Sequence, residues 1–577
     1  MIGRAVVLAV GLVLTLTPGM AAAQAIPPDC GGGTTGSQPS RVSQEGPFGI
    51  GETGVVELDS AVDGKKIQVA FVRPDAPAGY QSPVIVEAGS YFEADLRDVD
   101  PTTCSPFLVE NYVQHGYTVA FVPSRGAGGT DSCADLFGAK EVADLSQAIS
   151  WLGSQPWSNG NVGMTGLSYH GSTPWDVAST GNPHLKTIVP GSGVHSLWDL
   201  VYYRGRNDWR WWFFVEGYYD YYGLLLSDPA TGRDADRWVG AFNCDNHDEG
   251  LQASVESYRS GEYDSLGYFA ERDHDAAILD RYRGTVLLVQ GLQDWNVDPG
   301  HQYPFINQLE DRGVYVKHLL GQWNHAWPDG EVGARSDYAD LLLRWWDRWL
   351  KEDTSVDTGP RAEVQDSDLQ WRAEDAWPPK GSTPRSLYLS ADGTLSEQPS
   401  EETATATLGP GTRNRYFFLS GAGEDYNDLP VDHTCVLCAT FTFPVTGGDL
   451  RLVGIPELNL RLVPSGSAGH VAAYLFRVDR DDAWHFVGWG ASDLRFPHGE
   501  TEAQPVQSGT PIQMNLPLQP LDAVVHDGER LMIVLDQGNA DHMPGVPFFP
   551  VELQYGSDLG TLRFDEGGPN STAFFQP

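Results

Sequence analysis

The chain has 577 residues, of which 41% are hydrophobic, and its formal net charge is −40. So negative a surface excludes binding to nucleic acid or to an anionic membrane, because like charges repel. The length predicts two to four domains, and the apolar content is sufficient for large cores.

The first 25 residues predict a secretory signal peptide. Arg4 precedes an apolar run at 5–16, and small residues at 21–25 offer an A-x-A cleavage site. The apolar run is too short to span a membrane, which needs about 18 apolar residues. We therefore expect a secreted protein, extracellular or in the cell envelope, without membrane association after cleavage. Residues 26–47, which are rich in Gly, Ser and Thr, are predicted to form a linker or flexible arm.

The cysteines predict disulfide bonds, because an even number in an exported chain favours pairing. The six are Cys30, Cys104, Cys133, Cys244, Cys435 and Cys438. Cys104 and Cys133 lie in loops that flank a predicted strand, which makes them the favoured pair. Cys435 and Cys438 form a CxxC without a second one at zinc spacing, so they predict a local disulfide or two separate ones.

Strands and helices alternate over residues 48–190, which predicts a mostly parallel sheet covered by helices. Apolar positions spaced for a helix occur at 107–115 and 141–152. The predicted strands of this part are 54–58, 66–73, 82–87 and 118–122.

The run GLSYHG at 166–171 predicts a sharp turn from a strand into a helix. Small residues are needed on both sides of such a turn, because the backbone doubles back on itself. Ser168 at the apex is therefore a candidate nucleophile. The second glycine of the usual Gly-x-Ser-x-Gly pattern comes one place late, with His170 in its position.

A nucleophilic serine needs a base and an acid that orients the base. Asp294 ends an apolar run that begins at Thr285, and His325 ends one that begins at Val314. Open α/β sheets place their sites just past the carboxyl ends of strands, and hydrolases with this turn use the order Ser, Asp, His. The sequence thus predicts a catalytic triad of Ser168, Asp294 and His325.

Residues 191–280 break the strand–helix alternation and are dense in Tyr, Trp and Phe, which predicts a helical cap over the site. Residues 281–355 complete the first domain and end in an amphipathic helix at 341–350. Beyond them short alternating strands, separated by Gly, Pro and Asp, predict an all-β sandwich over 380–577.

Four segments resemble the Xaa-Pro dipeptidyl-peptidase (peptidase S15) and cocaine-esterase-like (CocE/NonD) hydrolase superfamily. They are GLSYHG at 166–171, SRGAGGTDS at 124–132, GLQDWNV at 291–297 and GQWNH at 321–325. The run LYLSADG at 387–393 is similar to the start of that family's C-terminal domain. The resemblance covers the chain from about residue 50 onward. It implies an α/β-hydrolase fold with a helical cap insertion and a C-terminal jelly-roll sandwich.

The resemblance also implies an oxyanion hole with two donors. One is the amide after the nucleophile, which here belongs to Tyr169. The other is a tyrosine hydroxyl from an early loop, a position that Tyr91 matches in the run EAGSY at 87–91. Two donors that converge where negative charge develops are each worth about 3 kcal/mol.

The resemblance leaves the substrate open between peptides and esters. The turn after Asp294 continues Trp295, Asn296 and Val297, so it lacks the carboxylates that α-amino-acid ester hydrolases carry there. It looks more like the turn of the dipeptidyl-peptidases. We therefore expect release of Xaa-Pro dipeptides from peptide N-termini, with ester hydrolysis or acylase activity as the alternative.

A dipeptidyl-peptidase needs an anion for the free N-terminus and an aromatic pocket for proline. Asp208 and Glu216, among the aromatic residues of the cap, are candidates for the anion. Trp295, Asn296 and Trp327, next to the catalytic residues, are candidates for the pocket, although Trp327 could instead pack behind His325.

No cofactor is predicted, because the chain has no P-loop, no HExxH and no dinucleotide fingerprint. The alternative from another class is a carbohydrate- or surface-binding protein with an inactive hydrolase domain. The complete set of Ser168, Asp294, His325 and Tyr91 argues against it.

Overall fold

A computed structural model describes residues 30, 38–92, 94–130, 132–202, 252–253, 266–294, 296–330, 335–409, 437–499, 503–537, 549–568 and 573–575. The predicted signal peptide and most of the predicted cap lie outside these residues. None of the helices in these ranges has both the length and the apolar character needed to cross a membrane.

An eleven-stranded sheet dominates the first part of the described chain. Its strands follow the order β1-β2-β4-β3-β5-β6-β7-β8-β9-β10-β23, and those from β4 to β9 in that order pair in parallel. Their bounds are β1 Ile50–Asp59, β2 Lys66–Pro74, β3 Ser82–Gly89, β4 Thr118–Pro123, β5 Ser158–Leu167, β6 Leu185–Gly191, β7 Thr285–Gly291, β8 Tyr315–Gly321, β9 Ala362–Gln365, β10 Trp371–Glu374 and β23 Ala573–Phe575.

Helices cover both faces of this sheet, which gives three layers. Along β3, Val84 and Val86 belong to one hydrophobic core and Ile85 to another, as the alternation of side chains across a strand requires. Helices α1 and α7 contribute to the core around Ile85, and α2, α3, α5 and α6 to the other. The helices are α1 Pro106–Tyr112, α2 Ala139–Gly153, α3 Tyr169–Thr180, α4 Leu197–Tyr202, α5 Asp275–Arg281, α6 Phe305–Asp311 and α7 Tyr338–Trp349.

Two antiparallel sheets enclose a third core in the C-terminal part. The first contains β11 Thr383–Leu389, β12 Leu395–Ser396, β13 Thr403–Leu408, β15 Leu450–Pro464, β18 Ile512–Pro517, β19 Leu521–Val525, β21 Val551–Gly556 and β22 Gly560–Glu566. The second contains β14 Ala439–Pro444, β16 His470–Val478, β17 Trp484–Asp493 and β20 Arg530–Asp536. The fold is therefore an α/β hydrolase joined to an all-β sandwich.

The last strand departs from the predicted division of the chain. β23 pairs antiparallel with β10 at the edge of the hydrolase sheet rather than within the sandwich. The region predicted as a separate domain over 380–577 thus returns its final strand to the first sheet.

The predicted pairing of Cys104 with Cys133 is wrong. Cys104 is bonded to Cys30, at a Cα–Cα distance of 4.6 Å. The amide of Val42 donates to Asn111 Oδ1 on α1, so the N-terminal arm lies against the helix that follows Cys104. Cys133 and Cys438 each also take part in a disulfide bond. The two remaining cysteines, Cys244 and Cys435, lie outside the described residues.

The arm itself lacks regular secondary structure at 38–47, as a linker would, but it is packed. Ser40 is buried, and both its amide and its hydroxyl donate to Asp329 Oδ2, at 3.1 and 2.5 Å. This part of the arm is therefore held against the hydrolase domain.

Candidate active site

Ser168 occupies the turn between β5 and α3 in a backbone conformation that only the surrounding structure can impose. Its φ is 62° and its ψ is −123°, outside the regions that L-residues favour. The residue is half-buried. This is the geometry predicted for a nucleophile elbow.

The two glycines of the GLSYHG run are required by close packing around that turn. A Cβ on Gly166 would lie 2.3 Å from the carbonyl oxygen of His170, and one on Gly171 would lie 2.2 Å from that of Gly191 on β6. The first turn of α3 approaches β6 at residue 171. The position that must be glycine is therefore 171, one place later than in the usual pattern.

Two hydrogen-bond donors converge beside Ser168. The Tyr91 hydroxyl donates to Ser168 Oγ at 3.0 Å, and the Tyr169 amide donates to the Tyr91 hydroxyl oxygen at 3.2 Å. The Tyr169 amide is also the first of α3, where the helix dipole favours negative charge. A substrate oxygen bound between these groups would receive both hydrogen bonds.

Asp294 and His325 lie past the carboxyl ends of β7 and β8, two adjacent parallel strands. His325 Nδ1 and Asp294 Oδ2 are 2.9 Å apart. The buried carboxylate also accepts hydrogen bonds from Gln290 Nε2 and from the amides of Asn296 and Val297. These contacts fix the carboxylate, which in turn orients the imidazole.

The other ring nitrogen of His325 is the one that a catalytic base would use. This atom, Nε2, is buried and makes no hydrogen bond within the part of the chain that the structure describes. The structure thus shows the Asp294–His325 contact but no hydrogen bond from His325 to Ser168. Contacts of this kind commonly tighten only when substrate is bound.

The ring of Tyr169 is anchored by a buried carboxyl on α2. The Tyr169 hydroxyl donates to Glu141 Oε1 at 2.7 Å. Burial raises the pKa of Glu141 to about 8, against the opposing effect of the hydrogen bond from Tyr169. Tyr169 is therefore held through both its backbone amide and its side chain.

Sequence reasoning missed a second polar pair, Glu87 and His170. His170 Nδ1 lies 2.8 Å from Glu87 Oε1, and the Tyr91 amide donates to His170 Nε2 at 3.0 Å. The only sequence signal was the histidine in the place of the usual glycine. Nothing in the sequence connected Glu87 to it.

The predicted substrate-binding residues have different locations. Asn296 is half-buried and contributes its backbone amide to Asp294. Trp327 is 6% exposed and belongs to the hydrophobic core, where its ring packs against Tyr338. Asp208, Glu216 and Trp295 lie outside the described residues.

One group of residues has ligand types suited to a metal ion. His195, Asp199 and Asp275 place their ligand atoms within 4.8 Å of one another. However, His195 Nδ1 contacts Asp275, and its Nε2 lies 2.9 Å from the carbonyl oxygen of His301. Both ring nitrogens are engaged, so the histidine has no lone pair to offer a cation.

Comparison with known sequences gives two family matches. The model for X-Pro dipeptidyl-peptidase (S15 family) matches residues 63–327, and that for the X-Pro dipeptidyl-peptidase C-terminal non-catalytic domain matches residues 354–570. A protein of Streptomyces avermitilis named "Putative Xaa-Pro dipeptidyl-peptidase" is 29% identical over 477 residues, which are 75% of this chain and 65% of that protein. One of the same name in Bacillus anthracis is 25% identical over 527 residues, which are 84% of this chain and 82% of that protein.

Solved structures show the same architecture. A CocE/NonD family hydrolase from Staphylococcus aureus matches with a TM-score of 0.68 at 18% identity, over 90% of this chain and 94% of that chain. An α-amino acid ester hydrolase matches with a TM-score of 0.65 at 18% identity, over 91% of this chain and 97% of that chain. The fold and the family matches define a hydrolase of the α/β-hydrolase class. The chain matches the X-Pro dipeptidyl-peptidase (S15) family in both its catalytic and its C-terminal part, and it shares the fold of the CocE/NonD hydrolase.

Proposed function

We propose that this hydrolase works by acyl transfer to Ser168. The observation that carries the proposal is a chain of two hydrogen bonds, in which the Tyr169 amide donates to the Tyr91 hydroxyl oxygen and that hydroxyl donates to Ser168 Oγ. A carbonyl carbon attacked by this oxygen would place its own oxygen, as negative charge develops, beside both donors.

The proposed triad assigns each remaining step to a residue. His325 Nε2 removes the proton of Ser168 as the serine attacks, and then gives it to the leaving group. Asp294, held by hydrogen bonds from three other donors, orients the imidazole through its contact with Nδ1 and supports its positive charge. Water then attacks the acyl-enzyme, with His325 again as the base.

The proposed substrates are peptides with a free N-terminus and proline in the second position. The match to the S15 family and the dipeptidyl-peptidase names of the relatives support this choice. Asp208 and Glu216 remain the proposed partners of the substrate amine. A site built around such a charge pair loses several kcal/mol when the substrate charge is removed.

The experiment compares four substrates of the purified protein. They are Gly-Pro-p-nitroanilide, Ala-Pro-p-nitroanilide, its N-acetyl derivative and p-nitrophenyl acetate. We expect kcat/KM for the acetylated peptide to be at least ~10²-fold lower than for the free one, since the carboxylate of the cap then lacks a partner. Equal cleavage of the free and acetylated peptides would overturn the peptidase proposal.

Ester hydrolysis is the second candidate. A protein of Mycobacterium bovis named "Putative serine esterase" is 23% identical over 541 residues, which are 79% of this chain and 83% of that protein. Rapid turnover of p-nitrophenyl acetate together with no release of p-nitroaniline from any of the three peptides would favour the esterase.

The proposed location is outside the cytoplasm. The Cys30–Cys104 disulfide is consistent with an oxidising compartment. The signal peptide predicted at 1–25 would direct the chain to the export machinery. N-terminal sequencing of the protein from culture medium tests the proposal, which requires cleavage after Ala25.

A further inference from the structure

His170 and Glu87 carry no role in the proposed mechanism, yet both are buried directly behind the Tyr91 loop. Glu87 belongs to β3, and Tyr91 follows two residues after that strand ends. His170 is the second residue of α3. The pair therefore connects the end of the strand that leads to one oxyanion donor with the start of the helix that supplies the other.

The hydrogen bonds define the proton positions on His170. A backbone amide can only donate, so the bond from Tyr91 N–H requires that Nε2 carry no proton. The proton then lies on Nδ1, where the carboxylate oxygen of Glu87 accepts it at 2.8 Å. Glu87 thus selects the tautomer that can accept the Tyr91 amide.

Ring contacts fix the same loop a second time. The imidazole of His170 stacks on the ring of Tyr91, with centroids 4.6 Å apart, and on Phe92 at 5.0 Å. The histidine is 1% exposed, so water has little opportunity to replace the amide contact. His170 thus contacts both the backbone amide and the ring of Tyr91, and these two contacts direct the Tyr91 hydroxyl toward Ser168.

We propose that Glu87 and His170 are positioning residues that hold the Tyr91 hydroxyl in the oxyanion hole. The inference rests on the proposed function, because it assigns the pair to the donor that the mechanism uses. Neither residue touches the substrate. Both act through the orientation of Tyr91, so removing them lowers kcat through Tyr91 alone.

A double-mutant cycle tests this dependence. His170→Phe keeps a ring for stacking but removes the acceptor for the Tyr91 amide, and it is combined with Tyr91→Phe. We expect His170→Phe to lower kcat about 10-fold or more with KM changed less than 3-fold, and to have less than a 3-fold effect when residue 91 is already Phe. Equal losses in both backgrounds would show a general structural role and overturn the inference.

Variants of Glu87 provide a second test that does not depend on the folding of His170→Phe. Glu87→Gln keeps an oxygen that accepts the proton of Nδ1, whereas Glu87→Leu removes it and lets the imidazole place its proton on Nε2. We expect a larger loss of kcat for Glu87→Leu than for Glu87→Gln, and a loss for Glu87→Leu that disappears in the Tyr91→Phe background. Equal kcat for the two Glu87 variants would overturn the inference.

Measurements with both p-nitrophenyl acetate and Ala-Pro-p-nitroanilide separate the inference from the proposed function. An unchanged kcat for Tyr91→Phe on both substrates contradicts the mechanism and the inference together. A low kcat for Tyr91→Phe with full additivity of His170→Phe contradicts only the inference. Circular dichroism and thermal melts of each variant verify that the fold is retained.

Discussion

At the scale of single residues, this site depends on a backbone conformation that the serine would not adopt by itself. A φ of 62° costs on the order of 1–3 kcal/mol for a residue with a Cβ. The turn is held by the amide of Ser168, which donates to the carbonyl oxygen of Gly191 on β6 at 2.9 Å. This conformation places the hydroxyl beside the Tyr91 hydroxyl, so the parallel strands determine where the proposed nucleophile lies.

Replacement of the nucleophile is the most direct test of the triad. Ser168→Ala removes only the attacking oxygen, so the fold should persist while kcat/KM falls by about 10⁴-fold or more. Turnover of a p-nitrophenyl ester and labelling with a fluorophosphonate probe measure the effect. Ser172→Ala, four residues further along α3, is the matched control and should still label. Near-normal turnover of Ser168→Ala would refute the assignment.

Replacement of Tyr91 tests the second oxyanion donor. Tyr91→Phe keeps the ring and removes the hydroxyl, which acts on the oxyanion more than on the bound substrate. We expect kcat to fall by about 10²–10³-fold with a much smaller change in KM. Steady-state kinetics decide the matter, and a kcat equal to that of the wild type would show that the donor lies elsewhere.

At the scale of elements, helices α2 and α3 meet through a buried carboxyl. Glu141 on α2 accepts the hydroxyl of Tyr169 on α3, and Glu141 is 1% exposed. Burial raises its pKa from an ordinary value of 4.5 to about 8. The folded protein therefore binds a proton there more tightly than the unfolded chain, and this contribution to stability is lost as the pH rises from about 4.5 to 8.

Glu141→Gln should accordingly stabilise the protein at high pH. Gln resembles the protonated carboxyl and still offers an oxygen to Tyr169. The gain in the free energy of unfolding should be near zero at pH 4.5 and should grow to about a few kcal/mol at pH 8 and above. Thermal melts across this range measure it, with the exposed Glu110→Gln on α1 as control. A gain that does not change with pH would contradict the assigned pKa.

At the scale of the whole molecule, charges buried between strands connect the sandwich to the hydrolase sheet. Arg451 on β15 donates to Asp522 on β19 and to Glu374 on β10, and the side chains of both acids are 0% exposed. The loop after Asp294 also takes part, since the amide of Gly300 donates to Gln519 at 2.7 Å. The sandwich therefore supports the loop that begins at Asp294, the proposed acid of the triad.

Loss of this cation should destabilise both domains together. Arg451→Met leaves two carboxylates buried without their partner, which costs about 3–5 kcal/mol of the free energy of unfolding. Arg530→Met, which breaks a solvent-exposed pair with Asp482, should cost less than about 1 kcal/mol. Urea unfolding monitored by tryptophan fluorescence compares the two. Equal midpoints would contradict a supporting role for the buried pair.

Sequence order and strand pattern were sufficient to predict the α/β hydrolase, the β-sandwich and the location of Ser168, Asp294 and His325. The reason is local: each of these residues lies within four positions of the end of its own apolar strand, and parallel strands bring their carboxyl ends to one edge. The prediction of short strands in the sandwich illustrates the limit, because β15 is 15 residues long.

Tertiary structure alone decided the features that join distant parts of the chain. The bond of Cys104 to Cys30 depends on the path of the N-terminal arm along α1, which no sequence spacing records. The contact of Glu87 with His170 depends on β3 and β5 being neighbours in the sheet, although 83 residues separate the two side chains. Periodicity reports which face of an element is buried, but it does not report which other element covers that face.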